Sequence, residues 1–469
     1  MTRSNWRWNL ANSSISRGDA NAGRTPDRGS LSISSLVRQI ATDARTEATL
    51  QSSIHTLLLA ADLNLAGDDV ENITLESQAG DRLRIDIEVG HACIEVKKNL
   101  IPGRGLDDAV QQLGGYLTRR ADDLGQRYVG ILTDGTEWQL YHLDEEQMVL
   151  VSTHRLNPAA PDVQPFLNWL AGVLATEERI APTPKAIDER LGATSAGHLL
   201  EQADLTALYE RHRDDPDVTV KREVWAKLLT TALGTQFHAD DHQLFVEHTL
   251  LVATAEMVAH AVLGFDIRSL SASTLLRGEL FSRRALILGV VEQDFFDWPL
   301  DCGETGHRWV TALARRLAQF DWSRTEHDAM KTIYESVITT ETRKQLGEYY
   351  TPDFLAEHMV ETIVEDPLNS RVLDPSCGSG TFLFHAIRRY MRAADEAGQS
   401  NAETLAGVVG HVAGIDVHPV AVTLARVTYL LAIGPDRLQD TNRPPLRIPV
   451  YLGDSLQWGQ RRTCSPPRP

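Results

Sequence analysis

Arg371-Val-Leu-Asp-Pro-Ser-Cys-Gly-Ser-Gly-Thr-Phe382 passes from a β-rich segment through a glycine turn into a helix. Arg371 to Leu373 reads as the strand, Asp374 sits at its carboxyl end, and Pro375 to Gly380 form the turn. The apolar spacing from Thr381 to Met391 predicts the helix. In an open α/β sheet, ligands bind beyond the carboxyl ends of the strands, and glycine lets backbone approach them closely. Upstream lies Gln345-Leu-Gly-Glu-Tyr-Tyr-Thr-Pro-Asp353, whose proline and aspartate predict a helix beginning near Asp353. Downstream, Val412-Ala-Gly-Ile-Asp-Val-His-Pro419 reads as a second buried strand with Asp416 at its end, and Val420 to Ile433 as the next helix. Ile448-Pro-Val-Tyr-Leu-Gly-Asp-Ser-Leu456 reads as a third strand, with Asp454 near its end. This alternation predicts a Rossmann-like α/β domain.

The pairing of Tyr350-Thr351-Pro352 with Asp374-Pro375 and the glycines Gly378 and Gly380 resembles the S-adenosylmethionine site of N6-adenine DNA methyltransferases from restriction–modification systems. The resemblance implies that Tyr350, Thr351 and Pro352 pack over the methionine part of the cofactor. Asp374 then faces the methionine amino group, Asp416 accepts from the ribose hydroxyls, and Asp454 accepts from the adenine amino group. The family's next strand carries Asn- or Asp-Pro-Pro-aromatic, which holds the target amino group and stacks on the flipped adenine. No such quartet occurs here. Asn442-Arg-Pro-Pro-Leu446 precedes the third strand and lacks the aromatic, and Ser465-Pro-Pro-Arg468 has no apolar strand before it. The expectation is therefore a C-terminally truncated domain over residues 346–469. A separately encoded C-terminal methyltransferase and specificity portion would be a partner, and the incomplete sheet would leave an exposed hydrophobic edge.

In the N-terminal part, helical spacing runs from Leu36 through Leu65 and includes Glu47. Asp81-Arg-Leu-Arg-Ile-Asp-Ile-Glu-Val89, a turn at Gly90-His91, and Ala92-Cys-Ile-Glu-Val-Lys-Lys98 predict a hairpin. Alternation puts Glu95 and Lys97 on one face, with Asp86 on the partner strand within reach. Two carboxylates and an amine suit a hard divalent cation with an activated water. Gln112 and Tyr116 fall at i and i+4 of a following helix. Tyr128-Val-Gly-Ile-Leu-Thr-Asp-Gly-Thr-Glu-Trp-Gln-Leu-Tyr141 predicts a second hairpin around Asp-Gly. These features resemble the PD-(D/E)XK nucleases, in the Gln-x3-Tyr variant found in restriction subunits. The family's usual proline before the aspartate is replaced by Ile85. The resemblance implies Mg²⁺-dependent cleavage of double-stranded DNA, with Asp86 and Glu95 as metal ligands and Lys97, Gln112 and Tyr116 beside them. Glu47 matches an acidic position that this family often uses near the metal, but it reads more simply as a helix-surface glutamate.

The chain is thus expected to be an α/β multidomain protein. A basic tail (1–34) precedes a nuclease-like domain (35–155), a linker (156–200), a helical connector (201–345) and the partial methyltransferase. The connector shows no chemistry: His238, His242, His248 and His260 fit no compact metal site, and Asp294-Phe-Phe-Asp-Trp298 and Tyr334-Glu-Ser-Val337 resemble the helical segment that precedes the methyltransferase core in fused Type I, IIG and ISP enzymes. The net charge of −18, from 46 basic and 64 acidic residues, argues mildly against nucleic acid. Local basic surface, however, decides DNA binding. Four unpaired-looking cysteines, no signal-peptide core and no apolar run near the ~20 residues of a membrane span predict a reduced, cytoplasmic protein. Alternatives are a stand-alone nuclease whose half-methyltransferase only binds cofactor or docks a partner, and a broken gene product without function.

Overall fold

The computed structural model describes residues 32–42, 46–61, 73–78, 84–145, 147–174, 180–234, 242–291, 294–325, 328–338 and 351–457. The basic tail up to residue 31, His238, Tyr350 and the stretch from Trp458 onward lie outside them. The chain is a helix-rich α/β protein of several layers.

The first helical stretch divides into α1 (Ile33–Ala41) and α2 (Glu47–Ala60). The side chains of Ser32 and Thr46 accept backbone N–H groups at the two helix starts, so each helix has its own N-cap. Then follow β1 (Thr74–Gln78), β2 (Arg84–Val89), β3 (Ala92–Val96), α3 (Arg104–Leu124), β4 (Val129–Thr133), β5 (Glu137–Asp144) and β6 (Gln147–Arg155). The six strands lie side by side in chain order. All neighbours are antiparallel except β3 and β4, which the α3 crossover makes parallel. This central pair is buried along its length, and most of its side chains are apolar. Leu36, Val37, Leu50 and Ile54 of α1 and α2 join Ile87, Ile94, Val96 and Trp138 in one core. Leu113, Tyr116 and Leu117 of α3 cover Ile85, Cys93 and Leu132 in another.

The predicted hairpins are present, one turning at Gly90-His91 and one at Asp134-Gly135. Asp134 Oδ1 accepts from the Thr136 and Glu137 amides at 3.0 and 2.8 Å. Gly135 has φ +89°, and a Cβ there would lie 2.3 Å from the Ile40 carbonyl oxygen. Gly135→Ala is expected to cost about 1–3 kcal/mol from backbone strain and this clash, read as a lower urea midpoint; an unchanged midpoint would contradict the packing of α1 on this turn.

Residues 156–200, expected as a linker, instead contain α4 (Val163–Leu174), α5 (Pro184–Leu191) and the start of α6 (Ala196–His212). Phe166, Trp169, Leu170 and Val173 recur at helical spacing and bury into the N-terminal core. The connector continues as α7 (Pro216–Leu233), α8 (His242–Val262), α9 (Ala272–Arg277), β7 (Ile287–Leu288), α10 (Gly303–Leu317) and α11 (Ala329–Val337). Helix α8 is buried almost all round, including Glu256 and His260, as apolar residues on every face allow. Buried ions join this region to the sheet. Glu201 receives Arg127 at 2.7 Å and Arg316 at 3.0 Å, and Arg127 also reaches Asp204 at 2.8 Å. Burial pushes the Glu201 carboxyl up, but the two guanidiniums outweigh it and hold the group below its ordinary range.

The last elements are α12 (Asp353–Ile363), β8 (Val372–Asp374), α13 (Thr381–Glu396), α14 (Asn401–His411), β9 (Val412–Asp416), α15 (Pro419–Ile433), α16 (Pro435–Leu438), β10 (Leu446–Arg447) and β11 (Val450–Leu452). Their core is continuous with that of the connector. Strands β8, β9 and β11 form a parallel sheet in the order β11-β9-β8, while β10 pairs with β7. A Cβ on Gly414 would meet Leu383 of α13, so α13 covers that face. By register and alternation, Leu373, Ala413, Ile415 and Tyr451 share the opposite face. Leu373, on the edge strand β8, is 58% exposed.

Candidate functional site

Two groups of candidate residues lie on two separate sheets. In the C-terminal sheet, Asp374, Asp416 and Asp454 stand at the carboxyl ends of the three parallel strands or just beyond them. The loop after β8 is held to β9 by its backbone: Cys377 N–H donates to Ile415 O at 3.0 Å, and Gly380 N–H to Cys377 O at 2.8 Å. Asp416 completes the join. Its Oδ2 accepts from Gly378 N–H at 2.8 Å and its Oδ1 from His418 N–H at 2.9 Å. Gly378 and Gly380 have φ +53° and +97°. A Cβ on Gly380 would lie 3.2 Å from Ala425 Cα, so glycine here serves both a left-handed turn and close helix packing.

Asp374 Oδ1 accepts from Ser376 N–H at 3.1 Å. Burial first, and then the charge of Asp416, push its carboxyl up. Asp454 is half-buried, with Oδ1 accepting from Leu456 N–H at 2.9 Å. Gly453 N–H donates to Asp416 O at 2.8 Å, which sets Asp454 beside the end of β9. Pro375 is exposed on the loop. Pro352 caps α12, and Thr351 O accepts from Lys331 Nζ at 2.5 Å. Tyr350 lies outside the described residues. The donor set suits a ligand rich in hydroxyl and amino groups: carboxylates at three strand ends with a glycine backbone between them. The expectation for Asp416 needs one refinement, since both of its oxygens already hold backbone amides.

In the N-terminal sheet, β3 carries Glu95, only 1% exposed, with Lys97 beyond its end. Lys97 Nζ lies 2.5 Å from Glu95 Oε1, so the two do share a face. Asp86 Oδ2 accepts from Val96 N–H at 2.8 Å. Glu95 Oε2 is buried and has no hydrogen-bond partner among the described residues. Burial, with help from Asp86 and Glu47 and against the pull of Lys97, raises the Glu95 carboxyl to about 7. Burial opposes the charge on Lys97, but Glu95, Asp86 and Glu47 outweigh it and raise that pKa above its ordinary value. On α3, Gln112 Nε2 donates to the Tyr116 hydroxyl. Burial, and secondarily the charges of Glu95 and Asp86, push the Tyr116 hydroxyl up.

Glu47 is exposed on the first turn of α2, in keeping with the helix-surface reading, and it also ties two elements together. Its Oε1 accepts from Lys98 N–H at 3.0 Å, which brings the start of α2 to the end of β3. Its spacing in the sequence gave no sign of this partner. Among the described residues no group of three or more His, Cys, Asp or Glu side chains has the arrangement of a metal cluster. Magnesium needs less, since one or two carboxylates with water and phosphate oxygens suffice. Asp86 and the unpartnered oxygen of Glu95 fit that requirement. His242 meets Tyr209 at 3.0 Å, His248 receives Trp225 Nε1–H at 3.2 Å, and His260 Nδ1 lies 2.8 Å from Glu256 O. These three histidines are structural.

Sequence reading missed Asp328 and Lys331, which bind three segments around the glycine loop. The only local signal was an aspartate at a helix start.

Three acidic strand ends thus surround one glycine loop. Residues 325–439 match the family N-6 DNA Methylase. A curated relative is the adenine-specific methyltransferase PglX of Streptomyces coelicolor, 27% identical over 131 residues, which are 25% of this chain and 11% of the relative. The match therefore spans about a tenth of that protein. Among solved structures, the DrdV–DNA complex aligns with a TM-score of 0.35 at 16% identity, over 91% of this chain and 40% of that one. The type IIG restriction endonuclease BpuSI aligns at 0.25 and 14%, over 87% and 43%. A nuclease-deletion mutant of the Type ISP restriction–modification enzyme LlaGI, in complex with a DNA substrate mimic, aligns at 0.30 and 11%, over 55% and 20%. Among the described residues no helix is long and apolar enough to cross a membrane.

Proposed function

We propose that this chain is part of a restriction–modification enzyme that joins an S-adenosylmethionine-dependent, adenine-N6-specific DNA methyltransferase to a Mg²⁺-dependent endonuclease acting on double-stranded DNA in the cytoplasm. The observation that carries the reading is the bridge from Asp416 to the Gly378 amide, which fixes a glycine loop beside three acidic strand ends within the stretch matching the N-6 methylase family. Asp374, Asp454 and the Thr351-Pro352 turn complete the cofactor's surroundings. The cofactor supplies the methyl group; the chain's residues bind and orient it. The 469 residues contain no Asn/Asp-Pro-Pro-aromatic quartet, so methyl transfer needs a portion outside them that supplies it. The open β8 edge, with Leu373 exposed, is where such a portion would add to the sheet. The test is paired: the chain with Mg²⁺ cleaves unmodified duplex DNA, and with S-adenosylmethionine alone forms no N6-methyladenine. Adenine methylation by the isolated chain would overturn the division of labour, and absence of cleavage would remove the nuclease.

Asp86 and Glu95 would hold the metal, which supplies charge neutralisation and an acidified water. Lys97 keeps Glu95 oriented and adds positive charge where a phosphate would sit. A pH dependence follows. Glu95 is raised to about 7 in the folded chain, so below that pH it carries a proton that the metal must displace. Mg²⁺ affinity is expected to fall up to about tenfold per pH unit below 7 and to level off above it. Calorimetric Mg²⁺ titrations at pH 6 and pH 8 check this; equal affinities would contradict the assignment.

A further inference from the structure

We propose that Asp328 and Lys331 are positioning residues that hold the two backbone walls of the cofactor site from outside it. The inference rests on the cofactor reading above. Both residues lie at the start of α11, Asp328 as its N-cap, with Oδ1 accepting from Lys331 N–H at 3.0 Å. An N-cap needs only one such bond. Asp328 makes two more: Oδ2 accepts from the Thr381 hydroxyl at 2.9 Å, and Oδ1 from the Thr428 hydroxyl at 3.3 Å. Thr381 is the first residue of α13, directly after Gly380 of the loop. Thr428 lies on α15, and a Cβ on Gly380 would come within 3.3 Å of its Cβ. The same carboxylate therefore holds the exit of the loop against the helix packed beneath it.

Lys331 holds the other wall. Its ammonium donates to Thr351 O at 2.5 Å, in the turn leading into α12. Asp328 is only 2% exposed, and Lys331 is also buried. A buried charge is costly unless its bonds are made, and here those bonds run to the two segments that would flank the ligand. Burial raises the Asp328 carboxyl to about 6 against the pull of its hydrogen bonds and of Lys331. Arg388 of α13 adds a parallel tie, donating to Thr325 O at 3.1 Å and Leu431 O at 3.3 Å. The segment before α12 and the glycine loop are thus both bonded to one short stretch of a connector helix.

Hydrogen exchange of the cofactor-free full chain tests this without any activity. Lys331→Met is expected to speed exchange in residues 352–356, and Asp328→Asn in residues 378–384, each by about tenfold, as loss of one charged hydrogen bond would give. Lys331→Arg should restore the wild-type rate. Thr381→Val, a milder change, should speed residues 378–384 alone. Unchanged exchange in those segments overturns the proposal. So does an equal rise across β9 and α15, which would mean that the pair supports the core as a whole. In a second readout, Lys331→Met weakens S-adenosylmethionine binding about tenfold, and Lys331→Arg restores it. Failure of the wild type to bind would remove the cofactor reading, and the exchange data would still decide the positioning role.

Discussion

Lys97→Ala in the full chain is expected to lower Mg²⁺-dependent DNA cleavage by at least about a hundredfold. Two effects combine. The substitution removes the ammonium that lies 2.5 Å from Glu95 Oε1, and with it the positive charge beside a developing pentavalent phosphate. It also leaves Glu95 without the partner that opposes burial and the charges of Asp86 and Glu47. The carboxyl then rises further above about 7 and holds its proton more tightly at neutral pH, so metal binding weakens as well. Fold stability should change little, because Lys97 sits at the strand end and the core beneath Glu95 is apolar. Plasmid cleavage followed over a Mg²⁺ series at pH 8 separates the two effects: saturating metal recovers the affinity loss and not the catalytic one. Cleavage equal to wild type at every Mg²⁺ concentration would remove this site from the account.

Asp416→Ala is expected to weaken S-adenosylmethionine binding by about a hundredfold or more, as loss of two buried hydrogen bonds implies. The side chain accepts from the Gly378 and His418 amides, so its loss strands two donors at once. The glycine loop loses its side-chain tie to β9 and keeps only the Cys377–Ile415 backbone bond, and α15 loses an anchor at its N-terminus. Asp416→Asn keeps one acceptor oxygen and should fall between. Equilibrium dialysis with labelled cofactor checks the order wild type, Asn, Ala. Equal retention by the alanine variant would mean that the loop is set by its backbone bonds alone.

Much of this geometry was legible in the residues. The run from Arg371 to Phe382 specifies strand, turn and helix locally, because proline and two glycines leave few other conformations. The Glu95-x-Lys97 spacing is enough to place both side chains on one face, since strand periodicity is two. What could not be read depends on long-range contact. Residues 163–174 carry apolar residues at helical spacing, but nothing local says that Phe166 and Leu170 enter the core of a sheet built from earlier residues. Glu47 finds its amide partner 51 positions away. Asp328 meets Thr381 and Thr428 across 53 and 100 positions. The ions Arg127, Glu201 and Arg316 look solvated in sequence and are buried together at a helix–sheet junction. In each case a local pattern admits a surface role, and tertiary packing gives another.

Calorimetric titration of the 469-residue chain with S-adenosylmethionine, in the absence of DNA and metal, tests the central claim most directly. The account predicts one site per chain, with binding that Asp416→Ala abolishes or severely weakens. No heat of binding at millimolar cofactor, from protein whose melting transition shows it to be folded, would contradict it.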